Sequence, residues 1–336
     1  MKQVWSAGVF AVLMASGASP ILAGSATNAA VAGRAAAAAS AKPESYPLPP
    51  TLSDVAYGGH PKQKLHFWKA ESDKPTPLLF FIHGGGWTSG NRSSGLPGLL
   101  TEMLKHGVSV VSVEYRFIPE AAKDGLVPPV KGPMSDVARA LQFVRSQAGA
   151  WNVDKVRIGA SGGSAGACSS LWLAFHDDLA DPKSEDPVAR ESTRLWCAAV
   201  SGPQTTLDPQ QMRAWTPNSR YGGHAFGFAG NKEKGLSQFE EFLANREKIM
   251  PWIAEYSPYA LVSRDDPPVA LFFGAAPALG QEQKDPTHTA NFGVKLQERC
   301  KELGVPCELV YPGAPEVKHQ TAQAYLLERL KAPAPQ

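Results

Sequence analysis

The chain has 336 residues, of which 43% are hydrophobic and 19% charged, and its formal net charge at pH 7 is +2. This length and apolar content suit one large domain with a buried core, and they exclude a disordered or fibrous protein. Lysines and arginines are scattered without a basic cluster, so the charge gives no argument for binding nucleic acid or an acidic surface.

The first 23 residues resemble a secretory signal peptide, because Lys2 precedes an apolar run that reaches small residues near Ala23. Glycine, serine and proline interrupt the run, which favours a cleaved leader over a stable membrane-spanning helix. Residues 24–50 are rich in Ala, Ser and Pro, which predicts a flexible linker. We therefore expect an exported protein, periplasmic or secreted, with one folded domain over residues 51–331.

Eight apolar segments alternate with helical patterns along the rest of the chain. They predict strands at residues 55–58, 65–68, 78–82, 108–114, 155–160, 195–201, 269–274 and 308–311. Ser135 or Asp136 is positioned to cap a helix that runs through Gln147, and further helices are predicted after Ser164, at 289–303 and at 321–330. This alternation predicts an α/β fold, with a mostly parallel sheet, helices on both faces and a site at the carboxyl ends of the strands.

The alternation stops between about residues 203 and 259, after the sixth predicted strand. This segment carries aromatic residues among glycines and prolines, including Trp215, Tyr221, Phe226, Phe228, Phe239, Phe242 and Trp252. An insertion at this point is well placed to fold over the site, which predicts a cap that faces the substrate. Ordinary packing of these aromatics in the core is the alternative interpretation.

Two glycine-rich motifs follow predicted strands. HGGGW at residues 83–87 follows the third, and GGSAG at residues 162–166 follows the fifth, with Ser164 at its centre. A nucleophile on a strand-to-helix turn needs flanking glycines, which let strand and helix approach closely. The N–H groups of Gly85, Gly86 and Ala165 could then point at the oxygen of a tetrahedral intermediate. No Lys-Ser/Thr pair follows the first motif, so a phosphate-binding loop is disfavoured and an α/β-hydrolase with Ser164 as nucleophile is predicted.

A serine nucleophile needs a base and an orienting carboxylate, and their order along this fold is serine, acid, histidine. Of the histidines after Ser164, only His319 follows the last predicted strand, so it is predicted as the base. His176 lies at the far end of the nucleophile's own helix, too distant to act. His224 lies in the insertion and could touch substrate, whereas His288 is interpreted as a surface or helix-capping residue.

The acid is expected after the seventh strand, where the loop at 275–286 returns toward the carboxyl edge of the sheet. Asp285 is the predicted acid, and Glu282 and Glu316 are its rivals. An aspartate before proline at the entrance of a helix is often only a cap, so a structural role for Asp285 stays open.

Four cysteines in an exported chain raise the question of disulfides. Cys300 and Cys307 bracket a predicted helix-to-strand turn and could close a small loop. Cys168 and Cys197 would then pair or remain buried thiols, and neither has the spacing of a metal ligand.

These motifs resemble the α/β-hydrolase esterases of the hormone-sensitive-lipase and BD-FAE-like type. The resemblance spans about residues 50 to 331 and rests on HGGGW, GGSAG and the segments 113–116, 152–159, 257–259 and 304–313. It implies that Gly85, Gly86 and Ala165 form the oxyanion hole, and that Asp285, eleven residues before Leu296, is the acid. Two departures stand out: residues 314–318 intervene before His319, and the loop from Gly274 to Asp285 is longer than the usual Gly-x-x-Asp.

The predicted function is that of a serine carboxylesterase that hydrolyses small carboxylic esters through an acyl-enzyme, with Ser164, Asp285 and His319 as the triad. Trp87 and His224 are expected to bind substrate, and neither a metal nor another cofactor is predicted. The resemblance and the expected export suggest acetyl or feruloyl esters on polysaccharide, with a broad short-chain esterase as the alternative. A serine peptidase of the same fold and a non-catalytic binding protein are the remaining alternatives, and the oligomeric state is left open.

Overall fold

The computed structural model describes residues 43–333, and one eight-stranded sheet lies at its centre. The strand order is β1-β2-β4-β3-β5-β6-β7-β8, where the strands are Leu52–Ala56 (β1), Lys64–Trp68 (β2), Thr76–Ile82 (β3), Ser109–Val113 (β4), Val153–Gly163 (β5), Cys197–Ser201 (β6), Val269–Phe272 (β7) and Cys307–Val310 (β8). Strands β1 and β2 run antiparallel to their neighbours, and all other pairs are parallel. The prediction of a mostly parallel sheet is confirmed.

Eleven α-helices lie within residues 43–333: Pro97–Lys105 (α1), Ile118–Lys123 (α2), Lys131–Ser146 (α3), Ala148–Trp151 (α4), Ala165–Phe175 (α5), Pro209–Trp215 (α6), Gln238–Ala244 (α7), Met250–Tyr256 (α8), Pro258–Leu261 (α9), Asn291–Leu303 (α10) and Ala322–Lys331 (α11). Short 3-10 helices occur at Gly223–Phe226 and Arg246–Ile249. In this described part of the chain, no helix combines the length and apolar character needed to cross a bilayer.

The core lies on both faces of the sheet, as strand β3 shows. Every residue of β3 is buried, and successive side chains point to opposite faces. Leu78 and Phe80 join the larger apolar cluster, which includes residues of α3 and α5, whereas Leu79 and Phe81 join a second cluster with α1 and α11. Strands covered on both faces have continuous apolar runs, which explains why the strand predictions succeeded.

The predicted start of helix α3 is wrong. The helix begins at Lys131, one turn before the predicted caps Ser135 and Asp136. Asp136 is instead buried inside the helix, where its carboxylate accepts the backbone N–H of Arg116 at 2.9 Å and pairs with the Arg116 guanidinium at 2.7 Å. A buried carboxylate needs such a partner, and this tertiary pairing accounts for the aspartate.

The predicted signal peptide and most of the predicted linker lie outside the described residues. The described end of the linker packs against the domain. The Glu44 carboxylate bonds Arg92 at 2.9 Å and Nε2 of His66 at 3.0 Å, and the Leu48 carbonyl accepts the indole N–H of Trp68 at 3.0 Å. The folded part of the chain therefore starts before residue 51.

The insertion after β6 forms helices α6 to α9 and both 3-10 helices. Its aromatic residues serve the core: Trp215, Phe226, Phe239 and Phe242 are buried in the larger cluster, and Tyr221, Phe228 and Trp252 pack against it. Core packing, the alternative weighed from the sequence, therefore accounts for these side chains.

All four cysteines lie in the described part of the chain as free thiols, and no disulfide joins them there. Cys168, Cys197 and Cys300 are buried. Burial raises the pKa of Cys197 to about 12, so this thiol is uncharged and unreactive at neutral pH.

Candidate active site

Ser164 occupies the sharp turn between β5 and α5. Its φ of +53° is a strained conformation for a residue with a side chain. Gly162 and Gly166 make the turn possible, because a Cβ atom at either position would overlap the carbonyl oxygen of Ile82. The Ser164 N–H donates to the Ser201 carbonyl at 3.0 Å, which ties the nucleophile to the end of β6.

The HGGGW turn after β3 lies directly against Ser164. A Cβ atom on Gly84 would be 3.5 Å from Cβ of Ser164 and 2.6 Å from the carbonyl oxygen of Gly163, so only glycine fits there. Gly85 and Gly86 have φ values of +108° and +62°. Within residues 43–333, neither of their N–H groups finds a hydrogen-bond acceptor, so both are available to an oxygen bound beside Ser164.

His83 holds this turn in place. Its ring is fully buried, with Nδ1 2.7 Å from the Gly84 carbonyl oxygen and Nε2 3.2 Å from the Glu114 carboxylate. Tyr115 stacks on the imidazole at a centroid distance of 4.4 Å and donates its hydroxyl to the His83 carbonyl. The first residue of the motif thus fixes the backbone of the glycines that follow it.

His288 is the histidine that reaches the nucleophile. Its Nε2 lies 2.9 Å from Oγ of Ser164, and its Nδ1 lies 2.8 Å from Oδ2 of Asp285. Because a carboxylate can only accept, Nδ1 carries the proton, and Nε2 is left to accept the Ser164 hydroxyl. The second carboxylate oxygen of Asp285 accepts the N–H groups of Thr287 and His288. Serine, base and acid therefore form one continuous hydrogen-bonded chain.

The prediction of His319 as the base is wrong. Its Nδ1 lies 2.8 Å from the Glu308 carboxylate and its Nε2 3.0 Å from Glu328, and the ring is 5% exposed. Both ring nitrogens are thus occupied by carboxylates of β8 and α11, and none of the described hydrogen bonds joins His319 to Ser164. The rival acids Glu282 and Glu316 make no hydrogen bond with His288 in this part of the chain either.

The sequence interpretation of His288 failed because Asp285 and His288 lie only three residues apart, a spacing that is also typical of a helix entrance. One signal was present. The loop from Gly274 to Asp285 is longer than the family pattern, and the turn that follows this loop holds Nε2 of His288 at 2.9 Å from Oγ of Ser164.

The acid and the base are open to solvent. The side chains of Asp285 and His288 are 60% and 41% exposed. Partial burial pushes the pKa of Asp285 upward, but hydrogen bonds from His288 and from the backbone outweigh it, so the pKa lies below its usual value. The carboxylate therefore stays ionised at neutral pH, where it orients the imidazole and balances its charge.

Of the two predicted substrate-binding residues, Trp87 is buried in the core, whereas His224 is partly exposed and contacts the glycine turn. Trp87 is completely buried and its indole N–H donates to Oγ of Ser169 at 3.0 Å, so the prediction of a substrate contact is wrong. Nε2 of His224 lies 3.0 Å from the Gly86 carbonyl oxygen. Burial lowers the pKa of His224, and the bond to Gly86 offsets this only in part, so the ring is neutral and donates to that carbonyl. His224 thus holds the glycine turn.

A cavity of about 730 Å³ opens beside Ser164. Its lining includes the glycine turn and Ser164, and Phe81, Leu99 and Ala322 provide apolar surface. In the part of the chain that the structure describes, no three metal-ligating side chains converge as a metal site requires. The arrangement suits a small apolar group next to a nucleophilic serine.

A parallel sheet, a nucleophile on the turn after β5 and a glycine turn after β3 together define an α/β-hydrolase. The chain belongs to the BD-FAE family, which residues 66–284 match, and the resemblance found in the sequence is confirmed. The match ends one residue before Asp285, so the turn with the acid and the base lies outside it.

Named relatives support this assignment. A probable isoprenylcysteine alpha-carbonyl methylesterase of Arabidopsis thaliana is 30% identical over 133 residues, which are 39% of this chain and 29% of that protein. The probable carboxylic ester hydrolase LipM of Mycobacterium tuberculosis is 29% identical over 150 residues, which are 43% of this chain and 32% of LipM. The chain therefore spans about a third of the length of these relatives.

The solved structures agree on the fold. An acetyl ester-xyloside bifunctional hydrolase from Caldicellulosiruptor lactoaceticus superposes with a TM-score of 0.53 at 24% identity, over 74% of this chain and 77% of that one. At this identity the likeness concerns the architecture alone, and the function has to be argued from the site.

Proposed function

We propose that this protein is a serine carboxylesterase. The observation that carries the proposal is the hydrogen-bonded chain from Ser164 through His288 to Asp285, with distances of 2.9 and 2.8 Å. This is the arrangement that acyl transfer by a serine requires. Membership of the BD-FAE family and the names of the relatives support ester hydrolysis as the reaction.

The proposed mechanism begins with attack of Ser164 Oγ on the ester carbonyl carbon, while Nε2 of His288 takes the hydroxyl proton. Negative charge then develops on the carbonyl oxygen, where the N–H groups of Gly85, Gly86 and Ala165 would stabilise it. His288 returns the proton to the leaving alcohol, and an acyl-enzyme remains. His288 then deprotonates a water molecule that attacks the acyl carbon, and it returns this proton to Oγ of Ser164 as the acyl–Oγ bond breaks and the acid leaves. Asp285 holds the tautomer of His288 throughout.

The proposed substrate is an ester of a bulky alcohol, with acetyl or feruloyl groups on polysaccharide as the candidates. The cavity beside Ser164 offers apolar surface for the acyl group. The exposure of Asp285 and His288 leaves room for a large alcohol to remain in solvent. A broad short-chain esterase is the simpler version of the proposal. Activity on an acylated polysaccharide would distinguish a polysaccharide esterase from this simpler version.

The test is hydrolysis of p-nitrophenyl acetate, butyrate and octanoate by the purified protein, beside Ser164→Ala, His288→Ala and His319→Ala. We expect kcat to fall by at least about 10³-fold in Ser164→Ala and His288→Ala. In His319→Ala, kcat should stay at the wild-type value. Release of acetate from acetylated xylan, or of ferulate from feruloylated xylan, would support a polysaccharide substrate. Full activity in Ser164→Ala would refute the mechanism, and activity that depends on His319 but not on His288 would refute the proposed base.

We also propose that the protein is exported, on the basis of the leader-like residues 1–23. The test is N-terminal sequencing of the protein from the cell envelope and the medium. A new N-terminus near residue 24 or 27 supports export, whereas an intact chain confined to the cytoplasm contradicts it.

A further inference from the structure

One glutamine reaches from the sheet to the turn that carries the base. Gln204 follows β6 and its side chain is 0% exposed. Its Nε2 donates to the carbonyl oxygen of Thr287 at 2.7 Å and to that of Gly202 at 3.3 Å. Thr287 immediately precedes His288. Gln204 therefore ties the backbone beside the base to the end of a central strand.

The orientation of this amide is determined by its partners. Two carbonyl oxygens face the same end of the Gln204 side chain, so that end must be the NH₂ group. The other end, Oε1, is buried and finds no hydrogen-bond partner within residues 43–333. A buried acceptor without a partner is unfavourable for stability. A contribution to stability alone therefore does not explain why a glutamine occupies this position. Residues with such unfavourable features often serve a functional site.

Neighbouring contacts place the same segment against the same turn. Gly202 has a φ of +58°, and a Cβ atom there would lie 3.3 Å from Cβ of His288. Oγ1 of Thr205 donates to the Phe292 carbonyl at 2.9 Å, at the start of α10. Because Ser201 also accepts the N–H of Ser164, the end of β6 contacts both the nucleophile and the turn with the base.

The turn at residues 285–288 has few other attachments. The hydrogen bonds of Asp285 stay within the turn, and the His288 ring forms hydrogen bonds with Asp285 and Ser164. Among the described residues, two side chains outside this turn form hydrogen bonds with it. One is Ser164, and the other is Gln204. The side chains of Asp285 and His288 are exposed, so packing holds them weakly.

We propose that Gln204 is a positioning residue that sets the distance between His288 and Ser164. The inference rests on the proposed esterase function and names a residue that acts through the base without touching substrate. A shift of about 1 Å in a catalytic group can cost about 100-fold in rate. Loss of the Gln204 bond should therefore lower kcat, while substrate binding beside Ser164 should change little.

The experiment compares Gln204→Leu and Gln204→Met with Gln142→Leu. Gln142 is a matched control, because it is also buried and its Nε2 donates to three backbone carbonyls, those of Leu179, Ala189 and Glu191. We expect both Gln204 variants to lose about 10- to 100-fold in kcat with KM within about twofold of wild type. Their urea midpoints should change little, because removal of the unpartnered Oε1 offsets the loss of the hydrogen bonds to Thr287 and Gly202. Gln142→Leu should show the opposite, a lower midpoint with unchanged kcat.

Ser164→Ala and His288→Ala, measured in parallel, separate this inference from the proposed function. If both are inactive and the Gln204 variants keep wild-type kcat, the positioning role is refuted and the esterase mechanism stands. A loss of kcat in the Gln204 variants no larger than the fraction that unfolds also refutes it. If His288→Ala remains active, both proposals fail, because there is then no base at this turn to position.

Discussion

Asp285 and His288 lie on a single turn after β7, and the carboxylate accepts the Nδ1 proton of the histidine three residues later across 2.8 Å. The order serine, acid, histidine is kept along the chain, but the histidine comes one strand earlier than expected. Acid and base are therefore neighbours in the sequence. Only the contact of His288 with Ser164 depends on the tertiary fold.

Replacing the acid should lower turnover without unfolding the protein. We expect Asp285→Asn to reduce kcat by about 10²- to 10⁴-fold, because an amide can present N–H to Nδ1 and favour the wrong tautomer of His288. Glu282→Gln, an exposed neighbour on the same loop, is the control and should retain wild-type kcat. Steady-state kinetics on p-nitrophenyl acetate measure both. Equal kcat values for the two variants would exclude Asp285 as the orienting acid.

Replacing His319 should affect stability and spare turnover. The His319 ring bridges Glu308 on β8 and Glu328 on α11. We expect His319→Leu to lower the free energy of unfolding by about 1–2 kcal/mol, because two carboxylates lose a hydrogen-bond partner. Urea unfolding and kcat are measured on the same preparation. A folded variant with wild-type stability and no activity would contradict this prediction and indicate a catalytic role for His319.

Two adjacent glycines should respond differently to alanine. Gly85 and Gly86 both have positive φ, but a Cβ atom on Gly85 would overlap the Ser89 carbonyl oxygen, whereas on Gly86 no atom is nearer than 3.7 Å. We expect Gly86→Ala to fold, with a free energy of unfolding about 1–2 kcal/mol lower than that of wild type, because alanine is strained in the left-handed backbone conformation. Gly85→Ala should lose more stability and at least about tenfold more activity. Thermal unfolding and kcat test the pair, and similar values would show that the turn relaxes freely.

The buried Asp266 predicts a specific dependence of stability on pH. Burial raises the pKa of Asp266 to about 6, and hydrogen bonds from Ser263 offset this only in part. Between the unfolded pKa, about 4, and about 6, the folded protein binds more protons than the unfolded chain. The contribution of Asp266 is therefore fully present at low pH and is lost as the pH rises through 6.

Asp266→Asn should remove this dependence. We expect the free energy of unfolding of the variant, relative to that of wild type, to be about 1–2 kcal/mol higher at pH 8 than at pH 4.5. Urea unfolding at both pH values measures this difference. Asp265→Asn is the matched control, because burial scarcely affects the pKa of that exposed neighbour. An Asp266→Asn effect that is the same at both pH values would show that this carboxyl does not titrate in the window.

The sequence was informative where structure is local or strongly apolar. Each of the eight strands overlaps its predicted range, because strands such as β3 are buried on both faces and appear as unbroken apolar runs. The overlap is smallest for the mostly exposed edge strand β1, which spans residues 52–56 where 55–58 was predicted. Ser164 and its glycines were found because a strained turn restricts residue type at fixed spacing. The base was missed, because chain order allows both His288 and His319, and only the path of the long loop after β7 decides between them.

Trp87 shows the same limit at a single side chain. Its place in the motif suggested a contact with substrate, but the indole turns into the core and bonds Ser169 on α5. Periodicity carries no information on which way a residue in an irregular turn points. Such residues are decided by tertiary packing, in this case by the space between β3 and α5.

Residues 312–318 border the site yet supply no member of the triad. An open cavity of about 650 Å³ shares Ser201 with the cavity beside Ser164, and it is lined by the ends of β7 and β8 and by four residues of this segment, Pro312, Gly313, Ala314 and Val317. In a hydrolase whose base followed β8, changes in this loop would endanger the chemistry. With His288 as the proposed base, we expect this loop to tolerate substitutions and insertions without loss of turnover, so that selectivity at this rim can be altered independently of catalysis.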